Sequence, residues 1–145
     1  MKFLRLEPEV AGELGEGTIM DVSVHPPLVT AVHYELTDWL GDHLLESYPV
    51  YLISEQLAAG LDRAGFRRYE LRDARVTLSP EAEELLDPAS LPTFRWFVVT
   101  GVPGHDDIGV TSNARLVVSE RALEVMRAAA PLNHCDVKPY TGDDA

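Results

Sequence analysis

The sequence contains a single cysteine, Cys135, among its 145 residues. One cysteine excludes an intrachain disulfide and any zinc site built on paired cysteines, and it favours a reducing compartment. The N-terminus reaches Glu7 and Pro8 before any long apolar run, so neither a signal peptide nor a membrane span is expected there. These absences predict a cytoplasmic protein with no membrane partner.

Basic residues are also scarce, since 12 Lys and Arg stand against 24 Asp and Glu, for a net charge of -12. Such a charge repels phosphate backbones, which argues against nucleic-acid binding, and it speeds encounter with a basic protein. Simple solubility is the alternative reading of the same charge. Two of the acidic residues, Asp143 and Asp144, fall in residues 141–145, which we expect to be a flexible acidic tail after a single domain over residues 1–140.

The sequence has no Gly-rich phosphate loop, no dinucleotide fingerprint and no Gly-x-Ser-x-Gly elbow. The sequence does contain an internal repeat, because the run from Tyr51 to Leu57 resembles the run from Leu116 to Leu123. Each is a short apolar stretch followed by Ser-Glu and an amphipathic segment. This pattern predicts a buried strand, an N-cap serine at Ser54 or Ser119, and a helix whose first turn carries a favourable negative charge.

The two units correspond residue by residue. Adding 65 takes Ser54-Glu55 onto Ser119-Glu120, and adding 66 takes Tyr69-Glu70-Leu71 onto Cys135-Asp136-Val137. The repeat is either a true duplication or two strand-helix-strand units that converge on the same local chemistry.

The remaining pattern predicts an α+β fold, a mixed and mostly antiparallel sheet with two or three helices around the two strand-SerGlu-helix-strand units. The expected strands are Lys2 to Glu7 at an edge, a hairpin of Thr18–Val24 and Thr30–Leu36, one strand over Tyr69–Leu78, a central strand over Phe94–Thr100, and His134–Val137. Further helices are expected over Thr37–Tyr48 and from Pro80 to Leu86, with loops over Glu9–Gly17 and Gly101–Asn113.

Three groups of residues suggest chemistry. His105-Asp106-Asp107 follows a glycine and offers either a general base with an orienting acid or metal ligands, while the same residues also suit a plain turn or a partner contact. His25 and His33 could approach across the hairpin as a zinc pair. Cys135 next to His134 suggests an activated thiolate, but neighbours on a strand point to opposite faces, which favours a buried structural thiol.

Four stretches together resemble immunity proteins of bacterial polymorphic toxin systems over about residues 50–137: Val50–Glu55, Trp96–Gly101, Leu116–Leu123 and Leu132–Val137. The resemblance implies a small cytoplasmic protein that neutralises a cognate toxin by occluding it. It gives no catalytic residue to carry over, and we expect no metal and no cofactor.

The leading hypothesis is therefore a non-enzymatic binding protein, monomeric or homodimeric, whose acidic loops contact a basic toxin such as a nuclease. The candidate contacts are His105, Asp106, Asp107, Glu83, Glu84, Glu13 and Glu16. The alternatives are a small metal-dependent hydrolase that uses the His105-Asp106-Asp107 loop, and an accessory or regulatory domain without catalysis.

Overall fold

A computed structural model describes residues 2–142, so most of the predicted tail over 141–145 lies outside the described residues. Its helices are α1 (Glu55–Arg63), α2 (Pro80–Leu85) and α3 (Glu120–Ala129), with a 3-10 turn over Pro88–Ser90. The strands are β1 (Phe3–Glu7), β2 (Gly12–Leu14), β3 (Ile19–Asp21), β4 (Leu28–Leu36), β5 (Leu44–Ser47), β6 (Val50–Ser54), β7 (Tyr69–Arg72), β8 (Ala74–Leu78), β9 (Phe94–Val99), β10 (Ile108–Val110), β11 (Leu116–Ser119) and β12 (Asp136–Pro139). The predicted α+β class is confirmed.

The strands divide over three sheets. Sheet A has the order β10-β11-β1-β12 and sheet B the order β5-β6-β9-β7, both antiparallel, while sheet C joins β2, β4 and β3 and adds β8 parallel to β4. The central position predicted for β9 is confirmed, because β9 lies between β6 and β7. The edge position predicted for β1 is wrong, since β1 pairs with both β11 and β12.

Sheet B is the middle layer, and its two faces belong to different cores. One face contributes Leu44 and Ile53 to the core shared with sheet A, α1 and α3, and the other contributes Leu45 and Leu52 to the core shared with sheet C. Every residue of β6 is buried for this reason, as expected of a strand covered on both faces.

The repeat extends well beyond the stretch that reveals it in the sequence. In both units a hairpin leads into a capped helix, and the strand after the helix lies at the sheet edge. One further strand lies between this edge strand and the hairpin. Ladder partners correspond with offsets of 64 to 66 residues in the repeated elements: Ser54 with Phe94 against Ser119 with Phe3, Ile53 with Leu44 against Val118 with Ile108, and Arg72 with Trp96 against Lys138 with Arg5. The separating strand is β9 in the first unit and the N-terminal β1 in the second, so the second unit is circularly rearranged.

Equivalent residues of the two units also form equivalent contacts with the other unit. Gln56 Nε2 donates to the carbonyl of Ala129 at 2.9 Å, and Arg121 Nη2 donates to the carbonyl of Ala64 at 3.1 Å. Since Gln56 and Arg121 are 65 residues apart, as are Ala64 and Ala129, these contacts are reciprocal in the manner of a two-fold interface. The matching strand registers and the reciprocal contacts between the helices favour duplication over local convergence.

Four local predictions are wrong because distant partners override local pattern. The helix expected over Thr37–Tyr48 is instead a loop followed by β5, and the Glu9 carboxylate accepts hydrogen bonds from the loop amides of Leu40 and Asp42. The loop expected over Glu9–Gly17 contains β2, the strand expected over Tyr69–Leu78 splits at Asp73 between sheets B and C, and the loop over Gly101–Asn113 contains β10.

Candidate functional site

Sheet C and α2 lie outside the repeat and carry nearly all of the excess charge. We call residues 8–42 and 73–93, which supply these elements, the acidic unit. It holds twelve Asp and Glu residues and one basic residue, Arg75, for a net charge of −11, whereas the rest of residues 1–142 holds ten acidic and eleven basic residues, for a net charge of +1. Negative charge is therefore concentrated in the acidic unit, and the rest of residues 1–142 is nearly neutral.

The outer face of sheet C follows from the alternation of β4. Tyr34 and Leu36 are completely buried against the core, so His33 and Glu35 point to the other side. The β2–β4 register places Glu13 directly opposite Glu35, and like charges in that position destabilise a sheet. Glu13, Glu16, Glu35, His33 and Arg75 line a shallow groove of about 370 Å³.

The carboxylates of this face share their groove with one cation, Arg75, but make no close ion pair in the described part of the chain. Within residues 2–142, Glu13, Glu16 and Glu35 form no ion pair at 4.0 Å or less. The neighbouring α2 adds Glu81, Glu83 and Glu84, all exposed, and it is held by Ser79, whose Oγ accepts from the Ala82 amide at 3.1 Å. The arrangement presents an extended, un-neutralised anionic surface.

His33 fixes the loop that carries Glu16. Its Nδ1 accepts a hydrogen bond from the Gly17 amide at 3.0 Å, so its Nε2 carries the proton and donates to Thr77 Oγ1 at 2.7 Å. A Cβ at Gly15 would lie 2.5 Å from the His33 ring, which explains the glycine there. His25 bonds instead to Asn113 Oδ1 at 2.9 Å, so the two histidines considered as a zinc pair have separate structural partners.

The His105-Asp106-Asp107 loop lies in the repeat, apart from the acidic unit. Asp106 Oδ2 accepts from the Val102 amide at 2.7 Å, and Asp107 Oδ1 accepts from Ser119 Oγ at 2.6 Å. The adjoining cavity of about 180 Å³ is also lined by three arginines, Arg67, Arg68 and Arg121. Both carboxylates therefore shape the loop, in surroundings that are basic rather than acidic.

The seven candidate contacts thus form two groups. Glu13, Glu16, Glu83 and Glu84 belong to the acidic unit, while His105, Asp106 and Asp107 do not. Glu35 also lies on this surface, although the sequence did not predict it as a candidate contact. One signal would have shown the segregation, because no Lys or Arg occurs anywhere between Arg5 and Arg63.

Four other titratable groups are buried or half-buried, namely Glu9, Asp42, Glu46 and Cys135. Asp42 accepts from the amides of Asn133 and His134 at 2.8 and 2.7 Å, which ties the acidic unit to the repeat. Burial raises the pKa of Glu9 and of Glu46, and both line a groove of about 620 Å³. Burial also raises the pKa of Cys135 to about 12, so this half-buried side chain is a thiol, not a thiolate, at neutral pH.

Within residues 2–142, no cluster of three or more His, Cys, Asp and Glu side chains has a geometry that could hold a metal ion. No helix in that range is long and apolar enough to span a membrane.

Comparisons with protein-family models, with curated proteins and with solved structures give no match. The case for a function accordingly rests on the geometry and charge of this molecule.

Proposed function

We propose that this is a non-enzymatic cytoplasmic protein that neutralises a cognate toxin by direct contact, and that the acidic unit is its binding surface. The observation that carries the proposal is the segregation of charge, −11 on the inserted unit against +1 on the remainder of residues 1–142. Solubility alone requires only a net charge and gives no reason to concentrate it on one unit.

The acidic unit places like charges next to each other. Glu13 faces Glu35 across the β2–β4 ladder, and neither has a cationic partner among the described residues. A basic partner would supply the missing counter-charges and would be steered toward this face during diffusion. A nuclease toxin fits this description, because an enzyme that holds a phosphate backbone needs a basic surface, and covering that surface blocks its substrate.

The proposal is tested with the protein encoded by the neighbouring gene. We expect it to co-purify with this protein, with an association rate that falls steeply between 50 and 500 mM NaCl because salt screens the attraction. If the neighbouring product fails to bind at both salt concentrations, the proposed function is wrong.

A pair of matched variants assigns the binding surface. Glu13→Gln with Glu16→Gln removes two exposed charges from the acidic unit, and Asp62→Asn with Glu124→Gln removes two exposed charges from α1 and α3 of the repeat. At 50 mM NaCl we expect the first variant to lower the association rate about three- to tenfold and the second to change it less than twofold. Equal losses would show that only the total charge matters.

One observation favours an enzyme as the second candidate. Glu46 is 9% exposed, burial raises its pKa, and it lines the groove of about 620 Å³ together with His134 and Asp136. A raised pKa in a groove is a feature of general acids. This alternative places any catalysis there and not at His105, and it predicts that Glu46→Gln abolishes turnover of a substrate found by activity screening.

A further inference from the structure

The β3–β4 hairpin exposes five apolar side chains, Ile19, Met20, Val22, Val24 and Leu28. No residue of β3 is buried, although alternation along the predicted strand Thr18–Val24 puts Met20, Val22 and Val24 on one face. Soluble proteins rarely leave that many neighbouring apolar groups in water unless the patch binds something.

The end of this hairpin is held in place by polar contacts. His25 Nε2 bonds to Asn113 Oδ1, 88 residues along the chain, and the Asp21 carboxylate accepts from both the amide and the hydroxyl of Ser23 at 2.9 and 2.6 Å. A pre-positioned apolar surface binds at a lower entropic cost than one that must be ordered on contact.

An apolar groove runs beside the hairpin end. Pro26, Pro27 and Val29 form its wall on the hairpin side, and Pro49, Val98 and Val110 belong to sheets A and B and their loops on the other side. Its volume of about 220 Å³ is below the roughly 300–1,000 Å³ of a small-molecule pocket. The groove is better matched to one side chain of a partner protein than to a substrate.

The charge of the acidic unit decides between the two kinds of protein that could cover this patch. A second copy would bring two surfaces of −11 together at the hairpin, which costs free energy through like-charge repulsion. A basic partner would gain from the same field.

We propose that the hairpin end and the adjoining groove form the apolar centre of the interface, where the basic partner inserts one aromatic or branched aliphatic side chain. The acidic face of sheet C and α2 then forms the charged periphery that steers the encounter. An apolar anchor inside a polar rim is the usual anatomy of a tight interface. This inference rests on the proposed function and adds the location and chemistry of its dominant contact.

The test compares two double variants against the neighbouring gene product. Val22→Ser with Leu28→Ser removes two apolar side chains from the hairpin, where they are 72% and 60% exposed. Leu71→Ser with Val102→Ser is the control outside the acidic unit, since those side chains are 37% and 56% exposed. Neither variant changes the charge, and exposed positions affect folding little.

We expect the hairpin variant to dissociate at least tenfold faster with an unchanged association rate, and the control to stay within twofold of wild type. Wild-type binding with equal dissociation rates for both variants would overturn the anchor while leaving the proposed function in place. Absence of wild-type binding would overturn both. A salt-stable dimer in sedimentation that Val22→Ser with Leu28→Ser dissociates would identify a second copy as the occupant and would also overturn the anchor.

Discussion

Ser119 shows at the scale of one residue how a short polar side chain holds two elements together. Its Oγ accepts from the Ala122 amide at 3.1 Å, as an N-cap does, and donates to Asp107 Oδ1 at 2.6 Å. Ser54 occupies the equivalent position, accepting from Leu57 and bonding to His43 Nδ1 at 2.8 Å. Each serine therefore fixes both its helix and the residue that precedes the neighbouring strand.

Replacing Ser119 with Ala should cost about 2 kcal/mol of unfolding free energy, because about 1 kcal/mol is typical for the cap and a similar amount for the bond to a carboxylate. Urea denaturation followed by circular dichroism measures it. Ser54→Ala is the internal comparison and should cost a similar amount. A cost for Ser119→Ala below about 0.5 kcal/mol would mean that neither bond stabilises the fold.

Glu46 predicts a dependence of stability on pH. Burial is the largest influence on its carboxyl group and raises its pKa above the usual 4.5, while Arg115 acts in the opposite direction. The folded state therefore keeps the proton at pH values where the unfolded state has released it, so this contribution to stability is fully present below about pH 4.5 and is lost as the pH rises through the raised pKa.

Glutamine cannot ionise, so the variant Glu46→Gln should not lose stability as the pH rises through the pKa of Glu46. We expect the variant to be more stable than wild type at pH 7.5, with the difference shrinking toward pH 4, in parallel urea titrations across that range. The exposed Glu124→Gln serves as the control and should show no such trend. A stability difference for Glu46→Gln that is constant with pH would contradict the assignment.

At the scale of elements, the contact between α1 and α3 depends on one small residue. A Cβ at Gly60 would overlap the Cβ of Ala129. Gly60→Ala should therefore destabilise the protein by about 1–3 kcal/mol through overpacking, although alanine is intrinsically better than glycine in a helix by about 1 kcal/mol.

A double-mutant cycle separates packing from helix propensity. Adding Ala129→Gly to Gly60→Ala removes the overlap and should restore part of the lost unfolding free energy, even though Ala129→Gly alone destabilises. Additive effects of the two substitutions would show that the helices do not meet at these residues.

The helices, whose start signals are local, agree with the sequence prediction, whereas two strands without a local signal, β2 and β5, were not predicted. α1, α2 and α3 each begin after a serine whose hydroxyl accepts a hydrogen bond from the amide three residues ahead. Both partners are close in sequence, so the interaction can be predicted locally. β2 and β5 carry no comparable signal. They are strands because β4 and β6 lie beside them, and the fold alone supplies those neighbours.

At the scale of the whole molecule, an acidic unit built for a basic partner should weaken the free protein. Glu13→Gln with Glu16→Gln should raise the unfolding free energy by about 0.5 kcal/mol at 20 mM NaCl, because it relieves repulsion with Glu35 and its neighbours. The gain should shrink in 500 mM NaCl, where the charges are screened. Urea denaturation at the two salt concentrations measures both values.

Asp62→Asn with Glu124→Gln again provides the matched control, and it should leave the unfolding free energy nearly unchanged because the repeat is close to neutral. If Glu13→Gln with Glu16→Gln instead destabilises the protein at low salt, the carboxylates are structural and the acidic face is not a site that awaits a partner.

The sequence by itself determined the α+β class, the serine caps, the two repeated units and the net negative charge, because each depends on composition or on residues a few positions apart. Only the tertiary structure decided that the strands form three sheets, that Glu13 and Glu35 face each other, that Asp106 and Asp107 lie among arginines, and that the apolar side of β3 faces water. Strand pairing and the electrostatic potential of the surface depend on residues far apart in the chain. The candidate binding surface is therefore a property of the fold more than of any motif.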